Sequence, residues 1–154
     1  MTALTNQPLM PFWKAQLAWA LAVNFVWINV SEVFRYFTFI MPMMREALQM
    51  LPDAAPMNLS VFLIWSLWDV ILVLAATMVS WLGLSVLGSS LRNALMVGTG
   101  IWLGIFGLIW IGIYNMNLTT LQVVLTALPL AWIEMTIATL VVRRICFAKG
   151  RAVS

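Results

Sequence analysis

The residues of this sequence best suited to chemistry stand where hydrocarbon would be their solvent. The stretch Asn29-Val30-Ser31-Glu32-Val33-Phe34-Arg35-Tyr36 sets an amide, a carboxylate, a guanidinium and a phenol directly after an apolar run, Ala15 to Val30, that only Gln16 and Asn24 interrupt. Each of those groups is costly in lipid, so an intramembrane ionisable residue points to a functional site. At 100° per residue Asn29, Glu32 and Tyr36 share one stripe of a helix, with Arg35 one turn beyond Glu32 on its flank. Two further acids, Asp69 and Glu134, lie inside other apolar runs. Carboxylates in such surroundings can trade their charge for a proton, which makes them candidates for proton relay or for holding a cation. The competing use is structural, with Glu32 paired to Arg35 and the other two acids hydrogen-bonded across helices.

Aromatic residues stand beside these acids. Of nine tryptophans, Trp13, Trp81 and Trp110 fit an interfacial belt, whereas Trp19, Trp27, Trp65, Trp68, Trp102 and Trp132 fall within apolar runs. Trp65 and Trp68 precede Asp69 closely, and indole faces beside a carboxylate suit a hydrophobic cation. They also suit plain packing. The candidate binding or proton-relay set is therefore Glu32, Asp69, Glu134, Asn29, Arg35, Tyr36, Trp65 and Trp68. No catalytic residue, cofactor or metal is assigned. The absence of histidine removes His-ligated haem and zinc and every His-based triad, and the single cysteine, Cys146, cannot form a disulfide within the chain. Methionines 41, 43, 44, 50 and 57 could offer thioethers to Cu(I), but apolar packing explains them as well.

The elements that must position these groups follow from composition. Of 154 residues 64% are hydrophobic and 8% charged, and the mean hydropathy is +1.01, far from a soluble domain with about a quarter of its residues charged. The fold class is an all-α integral membrane protein, a single domain over residues 1–154 built as a four-transmembrane-helix bundle. The spans are expected at about residues 12–41, 59–87, 94–114 and 118–142, with an outer loop at 42–58 punctuated by Pro42, Pro52 and Pro56. Pro42 is expected to end the first span, and the loop to hold a short amphipathic helix at the interface. Met1 to Pro11 lacks the charge and cleavage pattern of a signal peptide, so the first helix is expected to stay.

With four spans both termini share a side, which collects Lys14, Arg92, Arg143, Arg144, Lys149 and Arg151 against Arg45 and Arg35 opposite, and this places the termini in the cytoplasm. A bacterial inner membrane fits such a chain. Run in those directions, the acids form a ladder: Glu32 in the outer third, Asp69 near the midplane about 15 Å into its span, and Glu134 about 22 Å into its own. Pro129 should bend the last span and free the Leu125 carbonyl. Gly100, Gly104 and Gly107 give the third span a small-residue face for packing inside the chain or between copies. Asn58-Leu59-Ser60 and Asn117-Leu118-Thr119 match the glycosylation pattern, but both abut spans and read as helix ends. The basic residues read as topology signals, and no nucleic-acid patch is present.

The functional expectation is a small multi-pass membrane protein binding or transporting a hydrophobic small molecule, with a cation as one option, through an acid- and Trp-lined intramembrane pocket. Its partners would be membrane lipids, the small molecule, and further copies of the chain in a homo-oligomer. A membrane enzyme with isomerase- or hydratase-type acid-base chemistry on a lipid-like substrate is one alternative, and a structural or assembly subunit of a membrane complex is another.

Overall fold

The computed structural model describes residues 12–49 and 57–147, so Met50, Pro52, Pro56, Lys149, Arg151 and the segment Met1 to Pro11 lie outside the described residues. Among the described residues four helices are long and apolar enough to cross a membrane: α1 (Trp13–Ala47), α2 (Leu59–Leu87), α3 (Leu91–Asn115) and α4 (Leu121–Phe147). The chain is a multi-pass membrane protein folded as an all-α bundle. Its burial is the inverse of a soluble domain's. Val26, Val30, Ile64, Leu67, Val86, Leu108 and Leu125 lie exposed on the outside, whereas Asn24, Glu32, Arg35, Asp69, Thr77, Ser80, Glu134 and Thr139 are buried. Lipid solvates the first group as well as protein would, so the bundle hides its polar side chains rather than its apolar ones.

Helix α4 packs against all three others, and α2 touches both α1 and α3, leaving α1 and α3 at opposite corners. Local chemistry sets the ends. Asn58 caps α2 by accepting from the Val61 N–H, and Ser90 caps α3 by accepting from the Asn93 N–H, which starts α3 three residues earlier than the apolar run alone suggests. Gly88, between them, has φ +88°, a conformation open to glycine. At the other end Asn117, with φ +56°, makes the turn from α3 to α4, and α4 begins at Leu121.

Pro42 does not end α1. The helix runs on to Ala47 because a π-helical turn, Tyr36–Ile40, comes directly before it. In an unbroken α-helix the Pro42 ring would press on the carbonyl of Thr38, and the wider π turn takes up that conflict. The expected interfacial helix is thus this continuation, whose Met43 and Met44 pack on Ile40, Val123 and Ala127. A second π turn, Leu103–Gly107, sits in α3. Both leave a mark on the buried faces. In α1 the face steps from Ile28 to Glu32 to Arg35 and then five residues to Ile40, and in α3 from Ala94 to Gly98 to Ile101 and then five to Phe106. The extra residue in each step keeps the face pointed inward.

Candidate functional site

Glu32 and Arg35 face the interior because they continue the α1 stripe of Leu17, Ala20, Asn24 and Ile28. Asp69 is the first buried residue of α2, and Glu134 lies fully enclosed on α4. Arg35 joins them. Its guanidinium is ion-paired with Glu32 on its own helix and donates from Nη1 to Glu134 Oε2 at 3.1 Å. The Ser31 hydroxyl donates to the same Oε2 at 2.8 Å, and the Trp27 indole N–H donates to the Glu134 carbonyl at 3.0 Å. On its open side the guanidinium lies 4.8 Å from the centroid of the Phe106 ring on α3, within cation-π range. Each π turn adjoins one partner of that contact: the first follows Arg35 and the second contains Phe106.

Asp69 belongs to the same cluster, within Coulombic range of Glu32, Arg35 and Glu134. Its Oδ1 and the Oε1 of Glu134 are buried without a hydrogen-bond partner. The acids surround Arg35 without closing on a metal position, since among the described residues no group of metal-ligating side chains comes together. Two carboxylates are therefore paired to one guanidinium inside the membrane-spanning part of the chain, and a third, Asp69, lies near enough to feel its charge.

This reorders the expected ladder by moving Glu32 from its outer rung to the inner one. Counted from the end of the bundle away from the termini, Asp69, Arg35 and Glu134 lie 10, 12 and 13 residues in, about 15 to 20 Å at 1.5 Å per residue. Glu32 lies 15 residues in and not in an outer third. Glu32 drops to the level of Glu134 and just beyond it because α1 runs on to Ala47 and α4 starts three residues late.

The other candidates divide. The Asn29 amide is spent on the Phe25 carbonyl of its own helix at 2.7 Å, so Asn29 does not join the cluster. Tyr36 meets Trp65 with ring centroids 5.2 Å apart, above the acids toward the outer end. Trp65 and Trp68 are half exposed, in a part of α2, residues 59–68, that buries nothing. Arg35 pairs with two of the acids, and an open surface groove of about 430 Å³ runs between α3 and α4, lined by Trp102, Leu125, Leu128, Pro129 and Trp132. Pro129 does sit beside it within α4, away from the acids. Both indoles there turn their N–H groups inward, Trp102 to the Leu128 carbonyl at 2.8 Å and Trp132 to Thr99 Oγ1 at 2.9 Å.

Sequence reasoning missed the polar side chains that lie deeper. Asn24 donates to Thr77 Oγ1 at 3.0 Å and to the Ala138 carbonyl at 3.1 Å, and Ser80 and Thr139 share a hydrogen bond of 2.8 Å. Their signal was present as small polar residues at helical spacing, Thr77 with Ser80 and Asn24 with Ser31. No family model, curated protein or solved structure matches this chain.

Proposed function

We propose that this protein binds, and moves within or across its membrane, a hydrophobic cation that exchanges for protons on the Glu32, Asp69 and Glu134 cluster. The observation that carries the reading is charge count: three acids are buried in the bundle, and the one buried arginine pairs with two of them. Isolated charge is too costly in so apolar a setting, so the surplus negative charge is matched by protons or by a bound cation. Tyr36, Trp65 and Trp68 stand at the approach to Asp69, where α2 is loosely packed, and supply ring faces for an apolar body. We infer that the basic end faces the cytoplasm of a bacterial inner membrane and that the ligand enters from the outer half. Gly100 and Gly104, which have open space where a Cβ would sit, are free to pack against another copy of the chain.

The test is binding of tetraphenylphosphonium to the purified protein in nanodiscs at low buffer strength, with proton release followed by a pH dye. Saturable binding with release of protons, weakened at least tenfold by Asp69→Asn, is the expected result. Binding that is unchanged in Asp69→Asn and in Glu32→Gln would sink the proposal.

The joining of Glu32 and Glu134 through Arg35, with Asp69 nearby, also favours a second reading, acid-base catalysis on a lipid-like substrate with Asp69 as the mobile proton carrier. Incubation with a lipid extract would then give an isomerised or hydrated product, seen by mass spectrometry and absent with Asp69→Asn. An assembly subunit using these acids would present them on the bundle's surface, and their burial weighs against that.

A further inference from the structure

The acids of the cluster are not equivalent, and their partners divide the work among them. Glu32 is held by Arg35 from its own helix. Glu134 has Oε2 taken by Ser31 and Arg35, and only Oε1 left over. Asp69 is in no ion pair among the described residues, and its buried Oδ1 has no donor. It also lies at the edge of the cluster, directly below the part of α2 that buries nothing, so it is the acid a ligand from the membrane reaches first.

We propose that Asp69 is the ligand-binding acid, and that it selects an ammonium carrying at least one N–H, with an apolar body, over a quaternary cation of the same shape. The inference rests on the reading of the cluster as a cation site. A buried acceptor without a donor costs about 1–3 kcal/mol, and charge neutralisation alone does not remove that cost. An N–H cation satisfies both demands, because it brings positive charge and a donor to Oδ1 together. A quaternary cation brings only the charge, and its methyl groups hold the nitrogen away from the oxygen.

In the exchange the ammonium gains a hydrogen bond to the Asp69 carboxylate, and the proton that Asp69 carried leaves to solvent, so one positive charge replaces another. The charged groups around Asp69 are Glu32 and Arg35 on α1 and Glu134 on α4, and the Phe106 ring of α3 lies against Arg35. Arg35 stays bound to its two glutamates throughout.

The test compares 2-phenylethylammonium with its N,N,N-trimethyl analogue, in nanodiscs, by calorimetry in two buffers of different ionisation enthalpy. Binding of the N–H probe at least tenfold tighter, with release of about one proton, is expected, along with loss of that preference in Asp69→Asn and its retention in Asp69→Glu. Equal affinity for the two probes would overturn the selectivity while leaving the cation site standing. If neither probe nor tetraphenylphosphonium bound, the reading of the cluster as a cation site would fall with it. A preference that persists in Asp69→Asn would overturn the assignment of Asp69.

Discussion

Arg35 holds the interior of this protein together, and the reason is electrostatic rather than steric. Its guanidinium supplies donors to Glu32 and Glu134 and rests on Phe106, so three helices converge on one side chain. Arginine suits the role because its planar fork can serve two carboxylates at once. Arg35→Met would leave two glutamates buried with no counter-charge. Removing one partner of a buried ion pair costs about 3–5 kcal/mol, so this variant should show a large fall in thermal midpoint. Adding Glu32→Gln and Glu134→Gln should recover most of the loss, since the neutral side chains no longer need the cation. If Arg35→Met were as stable as the parent chain, the network would not be structural. Glu32, Arg35, Asp69 and Glu134 could all be picked out in the sequence from their cost in lipid alone. That Glu32, Arg35 and Glu134 come into contact could not be, because their relative depth depends on where each helix ends.

Helix α3 shows which small residues a bundle uses. Gly98 is the close-approach position: a Cβ there would sit 3.0 Å from the Thr136 Cα and 3.2 Å from the Met135 carbonyl oxygen, both backbone atoms that cannot swing aside. Gly100 and Gly104 have nothing within 4 Å. Gly98→Ala should therefore push α3 off α4 and cost about 1–3 kcal/mol, whereas Gly100→Ala should leave the single chain as stable as before. Unfolding of the two variants in mild detergent, side by side, checks this; equal losses would mean the helices pack in some other way. In the sequence the 100/104/107 spacing was conspicuous and Gly98 was not, because the sequence shows a face but not its neighbour. The two π turns were hidden for a related reason. Each one is a single added residue in a buried face, the step from Arg35 to Ile40 and from Ile101 to Phe106, and such a step is visible only once the face is known. Pro42 was a real signal read too strongly, as a stop when the chain used it as a reason to widen the helix.

Across the molecule, the class and the number of spans were legible because they follow from apolar length, which lipid thickness sets directly. The orientation follows from charge, and the structure sharpens that count. Arg35 is consumed inside the bundle, so it cannot serve as a topology signal; among the described residues the end bearing the termini has Lys14, Arg92, Arg143 and Arg144, and the opposite end has Arg45. Basic loops are retained on the cytoplasmic side during insertion, so the turn between α3 and α4 should face outward. Cys146 is the single cysteine, and Cys146→Ser gives a background without thiols in which one can be placed at the exposed Met116 or at the exposed Arg92. A membrane-impermeant maleimide added to intact cells should label Met116→Cys at once and Arg92→Cys only after permeabilisation. The reverse pattern would turn the molecule over, so that Tyr36, Trp65 and Trp68 open toward the cytoplasmic leaflet and a cation reaching Asp69 comes from inside the cell. The same two variants thus decide from which leaflet the ligand is drawn.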